Sequence, residues 1–365
     1  MIDDHVHPVP LQFTPFDLGE LGLDVDPAPA AAARRRRLAP GRLYVHLLEN
    51  RLAALLQAAP EEVAAARDGE AAANWPAWVR RLLDDAGVTG MIIDEALHPD
   101  VPGHPRSVYE ELTGRPVWKM ARLDPLVDRA IADGASARGI VAAVEQFMAD
   151  AAASGAVAFK TVLAYRTGLA VAPGADLAAA ARSLGDHGPV RRRGKALRDL
   201  VFRTALARAA DLGLPLQVHT GFGDSDIRLA ESDPLLLEEV LRTPEGQAAR
   251  IVLIHGSFPW HQRAAYLASV RPNVWVELSL SNLFAPMGTA ERLLQILDVS
   301  PAGRVLLGSD GHDLPEAQWF ACRVLADAWT RVAAELTDAG ARDSWVEQTR
   351  AAVFEGNARE VYGLS

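Results

Sequence analysis

The sequence predicts an α/β fold, a (β/α)8 TIM barrel with a long insertion after its first strand, and three observations carry that reading. Eight short apolar runs rich in Val, Ile and Leu recur along the 365 residues. Segments with helical apolar spacing separate most of them, the alternation expected of parallel strands joined by crossover helices. Five of the runs carry an ionisable residue at or near their end, and barrels of this class place their chemistry at the C-terminal rim of the strands.

Strands are expected at 2–7, 90–95, 118–123, 156–163, 215–219, 251–255, 273–279 and 304–308. Before the fifth, "LRDLVFRTALARAADLG" has helical spacing and ends at Gly213, a residue suited to a helix stop. The rhythm breaks once. Residues 8–85 are too many for one crossover and include the Pro- and Ala-rich "DPAPAAAARRRRLAPG", which begins as a loop and turns helical. Because it leaves the C-terminal end of the first strand, this insertion is expected on the catalytic rim, as a lid or an oligomer contact. After the eighth strand, 315–338 and 343–353 read as helices, and "FEGNAREVYGL" closes the barrel as a short terminal helix. No fixed-period repeat and no linker marks off a second domain, so 1–365 reads as one unit.

Hydrophobic residues make up 49% of the chain and charged residues 23%, the balance of a globular protein with a core rather than a disordered or fibrous one. No apolar run approaches the roughly 18 residues of a membrane helix. The start of the sequence has no basic-then-apolar secretory signal, so a cytoplasmic enzyme without membrane contact is the expectation. Cys322 is the only cysteine, which excludes intramolecular disulfides and leaves any metal to nitrogen and oxygen ligands. A net charge of −10 opposes general nucleic-acid binding, and the basic clusters Arg34 to Arg37 and Arg191 to Arg193 read as solvated surface. The expected partner is a small-molecule substrate, with self-association left open.

The chemistry-bearing residues are His5 and His7 in "DDHVHP", Lys160 in "AVAFKTVL", His219 ending "LPLQVHT", His255 ending "RIVLIHG" and Asp310 in "LLGSDGH". A His-x-His pair in an extended segment points to one side, because side chains alternate along a strand, and two neutral imidazoles can then share a divalent ion. Alone, such a pair has surface or core histidines as its alternative. His219 and His255 each follow an apolar run and precede Thr-Gly or Gly-Ser, and the recurrence is the evidence. Asp310 could cap the segment after it. In a site with four histidines it could instead bind metal and take a proton from attacking water. An ammonium at Lys160 is costly inside a barrel unless it is paired or loses its charge. Its amine could react with carbon dioxide to give a bridging carbamate, or stay cationic over a mononuclear site.

With "FKTVLAYRTGL", "LPLQVHTGFGDSD", "IVLIHGSFPW", "VWVELSL", "VLLGSDGH" and "GNAREVYGL", these segments resemble the amidohydrolase superfamily in its amidohydrolase-related (family 2) branch. The likeness runs over almost the whole chain, and the segments look especially like the barrel domain fused, in some plant and fungal proteins, to a glutamine-synthetase-like module. That module is absent from these residues, so the barrel is expected to carry the activity by itself. The resemblance implies that His5, His7, Lys160, His219, His255 and Asp310 are metal ligands, with Asp310 and His255 catalytic. In members with two metals, the first pair and the aspartate hold one ion, the later histidines hold the other, and a carboxylated lysine bridges them. Retention of Lys160 favours two ions here, with zinc the default and iron or manganese also accommodated.

The resemblance further implies hydrolysis, with metal-activated water attacking an amide, lactam, ester or acyl thioester. Tyr165 and Arg166 follow the fourth strand, and a guanidinium there is a candidate clamp for a substrate carboxylate. Trp260, with Phe222, Phe258, His261 and His312, is a candidate for the pocket wall. Metal-dependent non-oxidative decarboxylation or hydration is the alternative within enzymes, and a barrel serving as a binding scaffold is the alternative outside them.

Overall fold

Eight parallel strands follow one another in chain order around a single sheet. They are β1 (Ile2–Val6), β2 (Gly90–Asp94), β3 (Val117–Arg122), β4 (Ala156–Thr161), β5 (Leu216–His219), β6 (Ile251–Ile254), β7 (Val274–Leu278) and β8 (Val305–Leu307). The computed structural model describes residues 1–24, 26, 28–97 and 103–364. Both faces of these strands are covered, which is why the runs read as continuously apolar rather than alternating. Helices such as Ala137–Ala153 and Lys195–Leu212 form the outer layer, the latter stopping at Gly213 with φ 67°. Among the described residues no helix is long and apolar enough to cross a membrane.

The lower barrel interior is a packed apolar plug. Ile2, Ile92, Trp118, Met120, Ala158, Val252 and Leu306 meet there, and Ala358, Val361 and Tyr362 of the terminal helix Asn357–Tyr362 join them. That end is filled, so polar groups gather at the other. Strand alternation carries the inward direction upward from Ile92 to Asp94, from Met120 to Arg122 and from Ala158 to Lys160.

Ladder pairing runs from β1–β2 through to β7–β8. The seam between β8 and β1 is closed by other means. Asp310 N donates to His5 O at 2.8 Å and His7 N to Gly311 O at 2.9 Å. Beneath them the Asp3 carboxylate accepts from Ser309 N at 2.8 Å, Ser309 Oγ at 2.6 Å and Gln318 Nε2 at 2.9 Å.

Among its described residues the segment 8–85 carries four α-helices, Pro29–Leu38, Leu43–Leu56, Val63–Ala73 and Trp75–Asp85. The last is the crossover proper: Trp75, Trp78, Val79, Leu82 and Leu83 make one buried stripe, and the Asn74 side chain caps Ala77 N. Of the basic clusters, Arg34, Arg35 and Arg36 pair with Asp24, Glu20 and Asp17, and Arg191 and Arg192 with Asp226 and Glu231.

A fully buried ion pair ties the added helices to the barrel. Arg67 Nε lies 2.7 Å from Glu316 Oε1, which also accepts from Trp78 Nε1 at 2.6 Å. Removing Glu316 strips the buried Arg67 guanidinium of its partner at Nε and Nη2 and leaves it only one carboxylate, Asp68 Oδ1, 3.0 Å from Nη1, so Glu316→Ala is expected to cost about 3 kcal/mol. Denaturant midpoints of the two proteins measure this, and a loss under about 1 kcal/mol would show that Arg67 finds solvent or another partner.

Candidate metal and catalytic site

The register of β1 against β2 shifts between Asp3 and Val6. Asp4 accordingly stays with the lower interior, its Oδ2 accepting from Tyr362 at 3.1 Å, while His5 and His7 reach the upper end. Backbone strain marks the same rim. His255 has φ 68°, Ser257 51°, Leu280 51° and Asp310 54°, all in the left-handed region that side chains disfavour. Such residues cost of order 1–3 kcal/mol each and persist where the surroundings hold them. Here Glu277 Oε2 holds His255 N at 2.9 Å, and the seam bond to His5 O holds Asp310 N.

Five of the six residues singled out from sequence converge. His5 Nε2 lies 3.1 Å and His7 Nε2 3.4 Å from Asp310 Oδ1, and Lys160 Nζ lies 3.1 Å from His5 Nε2. Ligand atoms of His5, His255 and Asp310 all fall within 4.8 Å of one another. His219 stands alongside, its ring 4.4 Å from that of His255, with Nε2 hydrogen-bonded to Phe222 O at 3.1 Å.

Burial sets the charge states. It pushes His5 down to about 4, with Lys160 adding to the effect, and holds His219 and His255 well below the usual histidine value. The imidazoles are therefore neutral at neutral pH, the form that binds metal. Burial would raise the Asp310 carboxyl, but His255, His5 and His7 beside it hold it well below the usual range. Burial, and then the Arg122 guanidinium, push the Lys160 ammonium down to about 8.

Neighbours outside this set orient it. His7 Nδ1 donates to Asp94 O at 2.8 Å, leaving the Nε2 lone pair facing Asp310. Ser279 Oγ donates to Glu277 Oε2 at 2.7 Å and so accepts from His255 Nδ1 at 2.7 Å, which frees His255 Nε2 in the same way. Asp94 also offers an oxygen within 4.8 Å of His5 and His7, but both its oxygens are engaged, Oδ1 by Ala96 N at 3.0 Å and Oδ2 by Arg122 Nε at 2.8 Å.

A cavity of about 570 Å³ opens above these residues. Its walls include Arg122, Tyr165, Asp224 and His312, and the segment after β1 contributes Glu20, Gly22, Asp24 and Arg35. Tyr165 stands on this wall, its ring 4.7 Å from His219 and its hydroxyl accepting from Asp224 N at 2.8 Å. The other two candidate substrate contacts lie elsewhere. Arg166 is not on the cavity wall: the 3-10 turn Leu163–Tyr165 ends at it with ψ −91°, and its Nε pairs with Asp128 at 2.9 Å in the buried interior. Trp260 is also off the wall, leading the helix His261–Val270 with the Arg263 guanidinium 5.9 Å from its ring centre. Phe222 and Phe258 pack on each other with ring centres 5.0 Å apart.

The amidohydrolase family model matches residues 2–364. The chain belongs to the amidohydrolase family. Protein fluG of Emericella nidulans is 28% identical over 370 residues, an alignment that covers 90% of this chain and 41% of that longer protein. A Lactobacillus casei protein assigned provisionally as a metal-dependent hydrolase superposes with a TM-score of 0.85 at 24% identity, over 99% of this chain and 94% of that one. Uronate isomerase from Thermotoga maritima superposes at 0.68 with 14% identity, over 99% and 94%. At these identities the structural likeness is one of fold.

This amidohydrolase has the donors that a divalent metal requires. Bonds of about 2.0–2.1 Å in tetrahedral array place neighbouring donors about 3.3 Å apart. The separations of 3.1 and 3.4 Å from Asp310 Oδ1 to His5 and His7 match that spacing. The site is nitrogen- and oxygen-only, and the buried His5 Nδ1 has no hydrogen-bond partner among the described residues. His5→Ala and His7→Ala are each expected to lose bound metal and activity while melting close to the parent, since both side chains sit above the packed plug. Elemental analysis beside a thermal melt checks this, and full metal occupancy in either variant contradicts it.

Proposed function

We propose that this amidohydrolase is a metal-dependent hydrolase that adds water to the carbonyl of an amide, lactam, ester or acyl thioester. The observation that carries the reading is the convergence of three imidazoles, an ionised aspartate and a buried lysine at the floor of one cavity. His5, His7 and Asp310 would hold the first ion and His219 and His255 a second, with Lys160 available as the ligand shared between them. What a divalent ion adds when bound is acidified water and a polarised carbonyl oxygen. The name of the Lactobacillus casei relative supports the same reading.

Asp310 is the general base. It stays ionised at neutral pH and lies on the cavity floor, so it takes the proton of the attacking water and returns it to the leaving group. His255 faces the same space with Nε2 free, because its Nδ1 proton is committed to Ser279. Lys160, pushed down to about 8, has the neutral amine available near neutral pH that reaction with carbon dioxide needs, and the carbamate would bridge two ions as an anionic oxygen ligand. A second reading, non-oxidative decarboxylation or hydration with one ion, draws on His219, whose Nε2 is committed to Phe222 O.

Turnover of a panel of amides, lactams, esters and thioesters in ¹⁸O-labelled water tests the reaction class. Hydrolysis puts one label into the acid product, whereas release of carbon dioxide from a carboxylated substrate supports the second reading. With metal confirmed present, Asp310→Asn is expected to lower turnover at least about 100-fold, because general-base catalysis contributes about 10²–10⁴. Near-normal turnover would leave Asp310 a purely structural role. Lys160→Ala is expected to lose metal and to recover part of its turnover with added formate or acetate. A carbamate resonance after incubation with ¹³C-bicarbonate reports the modification directly, and a single bound ion with no such resonance overturns the two-ion form.

A further inference from the structure

Arg122 is the charged group at the cavity floor that the hydrolytic chemistry leaves without a task. It ends β3, two residues beyond Met120 and four beyond Trp118, so alternation turns it into the barrel. It stands in register with Lys160 on the neighbouring strand, which places the two about 4.8 Å apart at the backbone. Nε and Nη2 both donate to one oxygen of Asp94, at 2.8 and 2.5 Å. A guanidinium has five N–H groups in a planar fork, and Nη1 meets no acceptor among the described residues. The side chain is 11% exposed and the residue lines the cavity.

The other arginines of the cavity are differently placed. Arg35 is spent on Glu20 and the Asp26 carbonyl, and Arg191 pairs with Asp226 at the mouth, where it is 56% exposed. A charge-assisted hydrogen bond is worth most where water is scarce, and this favours Arg122 over both. Asp94 adds a geometric link. Its carboxylate pins the guanidinium while its backbone carbonyl orients His7, so the unused face of Arg122 is held at a fixed distance from the metal ligands.

We propose that Arg122 receives a carboxylate of the substrate, so that the compound hydrolysed carries an anionic group close to its reacting carbonyl. The assignment rests on the hydrolase reading for which carbonyl reacts, but its test is an equilibrium one and stands apart from turnover. Binding of malonate, succinate and glutarate to the metal-loaded protein is compared by calorimetry with binding of their monomethyl esters. One carboxylate engages the metal ligands' end of the cavity in either case, and only the diacid can also reach Arg122. At least one diacid is expected to bind about 10-fold or more tighter than its ester, the size of one charge-assisted contact. In Arg122→Gln that preference should fall below about 3-fold with ester affinity unchanged, and Arg122→Lys should restore part of it, since a point charge lacks the planar fork. Arg191→Gln should leave the preference intact. No diacid preference in the parent protein overturns the proposal whatever the variants do, as does an unchanged preference in a folded, metal-loaded Arg122→Gln. Loss of the preference in Arg191→Gln instead would move the anion site to the mouth. Absence of hydrolysis with the preference retained would count against the reaction class and leave the anion site standing.

Discussion

The closure of the barrel between its last strand and its first is the constraint on which the site depends. His5 and Asp310 lie at opposite ends of the chain, and the seam sets one beside the other through Asp310 N to His5 O and His7 N to Gly311 O. The Asp3 carboxylate fastens the same seam from below by accepting from Ser309 and Gln318. Burial pushes its carboxyl up to about 6, with the hydrogen bonds from Ser309 and Gln318 opposing that rise. The left-handed backbone at Asp310 follows from the same bonds, because the chain must turn sharply after Gly308 for the carboxylate to face the two imidazoles.

Above the apolar plug, the interior is organised in two further layers. The lower holds Asp4, Gln217, Glu277 and Tyr362: Gln217 Nε2 donates to Asp4 O at 2.9 Å, and Tyr362 Oη donates to Asp4 Oδ2 at 3.1 Å. Gly308 has to be small there, since a Cβ would come within 2.6 Å of Glu277 Oε1 and 3.0 Å of Asp4 Oδ1. Glu277 then reaches into the upper layer, holding His255 through its backbone and through Ser279. Polar residues inside a barrel are costly unless bonded, and here their bonds align the groups that face the cavity. The terminal helix thus supports the site through Tyr362 although it lies at the opposite end of the barrel.

A shared fold does not fix the reaction, which is narrowed by what stands over the cavity floor. In this chain the cover comes from the loop after β4, with Tyr165, from the loop after β5, with Asp224, and from the long segment after β1. The segment's attachment through Arg67, Glu316 and Trp78 is fully buried, so Glu20, Asp24 and Arg35 are carried on a wall braced against the barrel's outer helices. Similarity of fold to a hydrolase and to a uronate isomerase is accordingly compatible with different chemistry in each.

The sequence by itself determined the eight strands to within about two residues at each end and their parallel order, and it singled out the ionisable residues that end five of them, because strand period and the polar residue that ends an apolar run are local signals. Asp94 and Arg122 carry the same signal, closing "GMIID" and "VWKMAR", but only the closed barrel shows that they pair with each other beside the histidines. Glu277 was hidden within "VWVELSL" for the opposite reason, being an inward position flanked by apolar ones. Arg166 and Trp260 were placed on the cavity from proximity in sequence alone. Their directions are set by the turn after each strand and by partners such as Asp128 and Arg263, which no local pattern contains. Tertiary structure also decided that His219 turns Nε2 to a backbone carbonyl and that Lys160 stands beside Arg122. Both follow from the register and closure of the barrel, a global property that fixes which strand ends face one another.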